Sequence, residues 1–109
     1  MKCKTCGQKI LTPTIQIIEA KTLEWGKTCE KELNWEDAKQ WCEEQGEGWR
    51  LPTIIELLEA YHGGINGFGT SKYWSATEYS TSGANVVSFS DGGTYNYGKS
   101  YNLSVRCVR

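Results

Sequence analysis

Apolar residues recur at helical spacing in two segments of the chain. The first segment, NWEDAKQWCEEQ at 34–45, begins with Asn34, a residue type that favours the N-cap of a helix. Its positions i, i+3, i+4 and i+7 share one face and are occupied by Ala38, Trp41, Cys42 and Gln45. In the second segment, Thr53 and Glu56 form a capping box, and the glycines at 63–64 end the apolar repeat. The pattern therefore predicts two helices.

Short apolar runs bounded by polar residues and glycine predict strands on both sides of these helices. Residues 14–25, TIQIIEAKTLEW, are typical of a strand or a strand pair. Three runs follow the second helix: KYWSATE at 72–78, ANVVSFS at 84–90 and NLSVRCVR at 102–109. The sequence DGGT at 91–94 strongly favours a hairpin turn. A strand, two helices and then further strands is the order of an α+β domain.

Length and charge restrict the classes of protein to which the chain can belong. The 109 residues suffice for one domain with its own core, and a formal net charge of -1 does not indicate nucleic-acid binding. No apolar run approaches the roughly 20 residues of a membrane span. The N-terminal sequence MKCKTCGQKI lacks the apolar region of a signal peptide. We therefore expect a cytoplasmic protein that contacts neither nucleic acid nor membrane.

Gly, Ser, Thr, Asn and Tyr dominate the segment 63–104. Disordered chains share such a composition. Here, however, apolar residues interrupt it at short intervals, namely Trp74, Val86, Val87, Phe89 and Leu103. We therefore expect short strands that are joined by long ordered loops.

Six motifs carry a resemblance to a known family. LEW, NWEDAKQWC, GWRLPTIIEL, YWSATE, NVVSFSDG and VRCVR occur in this order over residues 23–109. They resemble the DUF1566 or Lcl C-terminal-like family of bacterial and phage domains, which has a C-type-lectin-like fold. The resemblance implies two helices flanking a small twisted antiparallel sheet, long ordered loops, and pairing of the N- and C-terminal strands. Residues 1–22 fall outside it and form a separate N-terminal segment.

The resemblance also implies a structural role for the arginine of GWRLP. In this fold, Arg50 would be buried or half-buried and would donate hydrogen bonds to loop carbonyls, with Trp49 and Leu51 packed on either side. We expect the tryptophans of these motifs to be core residues, and a role as platforms for a ligand is the weaker alternative. They are Trp35, Trp41, Trp49 and Trp74.

The sequence lacks the catalytic and calcium-binding motifs of related folds. Formylglycine-generating enzymes, which the RLPT motif also resembles, depend on a cysteine pair late in their chain, whereas only Cys107 lies there. His62 has no visible partner beside its two glycines and is typical of a turn or surface residue. Calcium-dependent sugar-binding lectins carry EPN-type and WND motifs, and neither occurs in this sequence. We therefore expect no enzymatic activity and no calcium binding.

The five cysteines fall into two groups. By the resemblance, Cys42 and Cys107 match positions that C-type-lectin-like domains bridge with a disulfide, although packed thiols are the alternative in a reducing cytoplasm. Cys3 and Cys6 form CKTCG, a knuckle of zinc-binding type, for which Cys29 is the obvious third ligand. Four interpretations of this knuckle stay open: a zinc site completed by Cys29 and another group, a zinc site shared between chains, a redox dithiol, or an unoccupied relic of a metal site.

The tyrosine-rich second half of the chain predicts a binding surface. Tyrosine provides a large contact area at a small entropic cost, while Ser, Asn and Gly adapt the hydrogen bonding. If the segment 93–101 is extended, alternate residues share one face and its tyrosines form a row. The residues expected to bind, with Asn96 and Lys99 at the polar rim, are Tyr79, Tyr95, Asn96, Tyr97, Lys99 and Tyr101.

These observations predict a non-enzymatic binding module that is phage- or prophage-derived and acts on a protein partner. If the protein is phage-encoded, the expected compartment is the host cytoplasm. The alternative is a structural or adhesin-like subunit of a phage or secreted assembly, which would bind a glycan or a surface receptor. A degenerate enzyme of the formylglycine-generating type is a weaker alternative, because the thiols are missing. The sequence does not indicate the oligomeric state.

Overall fold

The computed structural model describes residues 23–109. Residues 14–22 of the predicted strand or strand pair over 14–25, and the cysteines Cys3 and Cys6, lie outside this part of the chain. The elements follow in the order β1 (Trp25–Thr28), α1 (Trp35–Glu43), α2 (Ile54–Gly63), β2 (Lys72–Ser80), β3 (Gly83–Ser88), β4 (Thr94–Gly98) and β5 (Arg106–Val108). Two helices and antiparallel strands confirm the predicted α+β class.

Both helices begin where their capping residues predict. The side chain of Asn34 accepts a hydrogen bond of 2.9 Å from the backbone N–H of Asp37 and starts α1. Thr53 and Glu56 form the expected capping box at the start of α2. The second helix is capped at its C-terminus by Gly64, whose φ of 68° is the left-handed conformation that glycine adopts without steric cost. No helix within residues 23–109 is long and apolar enough to cross a membrane.

The strands form two small antiparallel sheets. β1 pairs with β5, which confirms the predicted pairing of the strands at the two ends of the fold. The second sheet has the order β2-β3-β4. Residues 104–108 contact both sheets, because the N–H of Trp74 in β2 donates to the carbonyl of Ser104 and β5 pairs with β1. Regular pairing in the predicted strand over 102–109 is therefore confined to its last residues.

β4 is a strand that the sequence analysis did not predict. Only three strands were expected after the second helix, whereas the structure has four. The hairpin turn at 91–94 is confirmed, since Gly92 has a φ of 77° and the N–H of Gly93 donates to Asp91. This turn returns the chain alongside β3, so that ladder hydrogen bonds make a strand of TYNYG despite its glycine and asparagine.

The central strand β3 is buried on both faces of the sheet β2-β3-β4. Consecutive residues of a strand point to opposite faces, so Val86 and Val87 of β3 enter two different clusters. The first cluster joins the sheet to α1, and its members include Trp35, Ala38, Cys42, Trp74, Val86 and Cys107. The second cluster joins the sheet to α2, and its members include Leu57, Tyr73, Val87 and the half-buried Phe68 and Phe89.

The prediction that Arg50 is buried or half-buried is wrong. Its side chain is 45% exposed and pairs with the carboxylate of Glu56 through two hydrogen bonds of 2.8 and 2.9 Å. The reason is strand-like alternation in this segment: the backbone of Arg50 pairs with Val108, so its side chain points away from the buried Leu51. The tryptophan prediction holds in part, because Trp35 and Trp74 are buried while Trp41 and Trp49 are half-buried.

Candidate functional site

The strand β4 brings two of the predicted tyrosines to one face of the sheet. Tyr95 is paired with Val86 and Tyr97 with Ala84, and both partners belong to the first core cluster. The two rings therefore lie on the side of the sheet that α1 covers, at the margin of that cover. Strand alternation thus produces the predicted row for Tyr95 and Tyr97 only, because β4 ends at Gly98 before Tyr101.

A third tyrosine and a lysine extend this row into a surface. Tyr101, in the turn after β4, packs edge-on against Tyr97 with ring centroids 5.5 Å apart. The ammonium of Lys72 lies 6.0 Å from the ring centroids of both Tyr95 and Tyr97. We call the surface made of Lys72, Tyr95, Tyr97 and Tyr101 the tyrosine face.

The members of the tyrosine face differ in exposure. Tyr95 is 43% exposed and Tyr101 is 58% exposed, whereas Tyr97 is half-buried and packs against the first core cluster. Tyr97 thus serves as an internal support, against which the more exposed Tyr101 rests. Large apolar side chains with this exposure are available to a partner, and their positions are set by the domain itself.

A hydrogen-bonded aspartate holds Tyr95 in place. The tyrosine hydroxyl donates to one carboxylate oxygen of Asp91 at 3.0 Å, and the N–H of Gly93 donates to the other at 2.8 Å. The Gly93 N–H, followed by the tyrosine hydroxyl, lowers the pKa of Asp91. The hydrogen bond to the carboxylate in turn raises the pKa of Tyr95.

The structure places neither of the two predicted rim residues, Asn96 and Lys99, at the rim of the tyrosine face. Asn96 is exposed, but it points to the face of β4 opposite Tyr95 and Tyr97. Lys99 is engaged inside the domain, where its ammonium donates to Glu78 at 2.6 Å and to the carbonyl of Thr81 at 3.0 Å. It therefore ties the β2–β3 turn to the end of β4.

Lys99 also stacks on a core tryptophan. Its ammonium lies 4.2 Å from the ring centroid of Trp35, and the backbone N–H of Trp35 donates to the carbonyl of Lys99. The hydrogen bond from Lys99 lowers the pKa of Glu78. With 15% of its side chain exposed, Lys99 contributes little to the outer surface.

Tyr79 is the most exposed of the predicted tyrosines, at 66%. It lies near the end of β2, where its ring approaches Gly83 at the start of β3. It does not contact the tyrosine face by any aromatic pair found within residues 23–109.

A second candidate surface is a cleft beside α1. It has a volume of about 190 Å³ and is lined by Gly26, Lys27, Trp41, Gln45, Trp49 and Cys107. A neighbouring cavity of about 450 Å³ shares Lys27 and Trp41 and also includes Cys29. The indole of Trp41 thus stands between two cavities, while the guanidinium of Arg109 stacks 4.7 Å from the ring centroid of Trp49.

The cysteines of the described residues do not form a metal site. Cys42 and Cys107 form a disulfide with Cα atoms 5.4 Å apart, while Cys29 is free and half-buried. Within residues 23–109, no three His, Cys, Asp or Glu side chains converge as metal ligands. Because Cys3 and Cys6 lie outside this range, the zinc site stays a prediction, for which elemental analysis of the purified protein is the direct measurement.

Arg106 is the structural arginine that sequence reasoning missed. Its guanidinium donates to the carbonyls of Gly26 and Asn66 and lies 4.5 Å from the ring centroid of Phe68. This is the role that the sequence analysis assigned to Arg50. Burial lowers the pKa of Arg106, which is 9% exposed. The available signal was its position in VRCVR, where a charged residue interrupts a buried strand.

Comparison with known families identifies the family of this chain. The model of the Lcl C-terminal domain family matches residues 19–109, and the chain belongs to that family. No curated protein matches the chain.

Proposed function

We propose that this member of the Lcl C-terminal domain family is a non-enzymatic module that binds a protein partner through its tyrosine face. The observation that carries the proposal is the exposure of Tyr95 and Tyr101, whose side chains are held in place by other residues of the domain. Exposed aromatic side chains contribute more binding energy per residue than most other types, provided that they are held in place.

The contacts around these rings reduce the entropic cost of binding. The hydroxyl of Tyr95 is bound to Asp91, and the ring of Tyr101 rests on Tyr97. Fewer rotamers are therefore lost when a partner covers the surface, which is how rigid tyrosines act in antibody loops. Lys72, lying over two rings, adds a positive charge that favours a neutral or acidic partner segment.

The partner that we propose is a host protein, and the compartment is the cytoplasm of a bacterial host. This part of the proposal is supported by the resemblance to bacterial and phage domains and by the expectation of a cytoplasmic chain. A phage or prophage origin is proposed on the same ground.

The test combines capture with substitution. Immobilised wild-type protein and the variants Tyr95→Ala and Tyr101→Ala are compared in the capture of host proteins, and affinities are then measured with the purified partner. We expect at least one of the two substitutions to weaken binding by about 1–2 kcal/mol. Ile55→Ala is the matched control, because Ile55 is 59% exposed on α2 and lies outside the tyrosine face.

Two results would contradict the proposal. Either both tyrosine variants bind the partner as tightly as the wild type, or Ile55→Ala weakens binding by as much as they do. Thermal unfolding of each variant separates a lost contact from a lost fold, since an exposed tyrosine should change stability little.

A glycan is the second candidate ligand, and the cleft beside α1 favours it. The half-buried indole of Trp41 beside the polar groups of Lys27 and Gln45 presents the mixture of apolar and hydrogen-bonding surface that a small polar ligand needs. Binding to a panel of neutral glycans that Trp41→Ala abolishes, and Tyr95→Ala leaves unchanged, would favour this function over the first.

A further inference from the structure

β4 is the outer strand of its sheet, and part of its backbone faces outward. Hydrogen-bonded positions alternate along an antiparallel pair. The N–H of Lys99 donates to Ser82 and the N–H of Ser88 donates to Gly93, both at 2.9 Å, and these bonds set the alternation. Backbone groups directed at β3 therefore belong to Tyr95 and Tyr97, whereas those directed outward belong to Thr94, Asn96 and Gly98.

Within residues 23–109, a backbone hydrogen bond reaches this outer edge at Gly98 and at no other outward position of β4. The carbonyl of Gly98 accepts the N–H of Tyr101, but no backbone hydrogen bond from residues 23–109 reaches the outward groups of Thr94 or Asn96. Natural edge strands are usually protected by a charged residue, a proline or a bulge. The sequence of β4, TYNYG, contains no charge and no proline, and its register with β3 is uninterrupted.

We propose that β4 pairs antiparallel with β4 of a second copy of this chain, about a two-fold axis at Asn96. In this register, Asn96 faces its own counterpart and the two residues exchange their outward N–H···O bonds. Thr94 faces Gly98 of the second copy, so that each Gly98 N–H reaches a Thr94 carbonyl. The interface is the same patch on both copies, as a two-fold contact requires.

The side chains of β4 suit this register. Tyr95 faces Tyr97 of the second copy at a position that is not hydrogen-bonded, where the Cα atoms approach to about 4.5 Å and the side chains are closest. Aromatic pairs across antiparallel strands are stabilising, and no like charges oppose each other at this edge. The pairing joins the two tyrosine faces into one strip. A charged or proline-containing edge would have excluded a second copy, whereas β4 is complementary to itself.

The proposal goes beyond the proposed function and does not depend on it. A short strand pair buries less surface than a standard interface, so we expect a dimer whose population depends on protein concentration. Sedimentation equilibrium of the full chain from micromolar to millimolar concentration measures that population. A wild-type protein that stays monomeric over this range would overturn the proposal.

Two substitutions at the axis locate the contact. Asn96→Pro removes an outward N–H without removing a bond to β3, a position at which edge strands tolerate proline. Asn96→Lys places two ammonium groups opposite each other at the axis, and Thr70→Lys is the control with the same charge change on an exposed loop residue. We expect both Asn96 variants to be monomeric and Thr70→Lys to dimerise. A dimer that persists in both Asn96 variants would overturn the assignment to β4.

Hydrogen exchange provides a second measurement on the wild type. The amide of Asn96 should exchange rapidly in dilute protein and become at least tenfold slower at concentrations where the dimer forms. An Asn96 amide that is already protected in the monomer would show that another segment covers the edge, and the proposal would then fail.

Discussion

Removal of the disulfide between Cys42 and Cys107 is expected to lower the free energy of unfolding by about 4 kcal/mol. The bond joins α1 to β5 across a sequence separation of 65, and both residues are buried in the first core cluster. A crosslink stabilises chiefly because it restricts the unfolded chain, and the restriction grows with the logarithm of the loop length. For a loop of this size, the chain-entropy relation gives the quoted value at 25 °C.

Urea unfolding under oxidising and reducing conditions measures the effect. Oxidised wild type is compared with reduced wild type, in which both thiols keep their volume, and with the double variant Cys42→Ala/Cys107→Ala. We expect the reduced protein to lose about 4 kcal/mol and the double variant to lose about 1–2 kcal/mol more, because it also loses buried sulfur atoms. Cys29→Ala is the matched control, since Cys29 is free and half-buried.

Equal stability of the oxidised and reduced proteins would refute this reasoning. The same outcome would favour the alternative in which Cys42 and Cys107 are packed thiols. The result also bears on the compartment, because disulfides persist in oxidising environments whereas the sequence analysis expects a cytoplasmic chain. Mass spectrometry of alkylated protein from cells would report which redox state the chain has there.

Three further substitutions test the internal contacts. Arg106→Lys should destabilise the fold by about 2 kcal/mol in urea, because an ammonium cannot reach two carbonyls as a stacked guanidinium does. Glu56→Gln should cost about 1 kcal/mol at neutral pH. Arg50 lowers the pKa of Glu56 in the folded protein. The stabilisation by Glu56 is therefore present above the usual carboxyl pKa of 4.5 and is lost as the pH falls through the lower pKa of the folded state. The free energies of unfolding of wild type and Glu56→Gln should thus become equal at acid pH. Gly92→Ala should lower the melting temperature, since Gly92 has a φ of 77° and a Cβ there would lie 2.5 Å from the ring of Tyr61. An unchanged melting temperature would contradict this conformation of Gly92.

The helices were predictable from sequence because their determinants are local. A cap forms within one turn, so the hydrogen bonds of Asn34 with Asp37 and of Thr53 with Glu56 involve residues three positions apart. The same holds for the turn at 91–94, which needs only its aspartate and glycines. The order of these elements was enough to indicate the α+β class.

The position of the tyrosine row was predictable only in part. Alternation along the chain placed Tyr95 and Tyr97 on one face once the segment was extended. It did not show that Tyr97 supports Tyr101, nor that Lys72 from a non-adjacent strand lies above two of the rings. Those contacts depend on the register of three strands, which no short segment encodes by itself.

The two arginines owe their different environments to long-range packing. Arg50 and Arg106 each follow an apolar residue in a strand-like segment, and both are candidates for a buried cation by composition. Pairing of Arg50 with Val108 turns the first outward to Glu56, whereas the packing of Phe68 and the carbonyls of Gly26 and Asn66 enclose the second. Helices, turns and strand alternation could be read from the sequence, because they arise between near neighbours. The side of each strand that became buried depended on partners far along the chain.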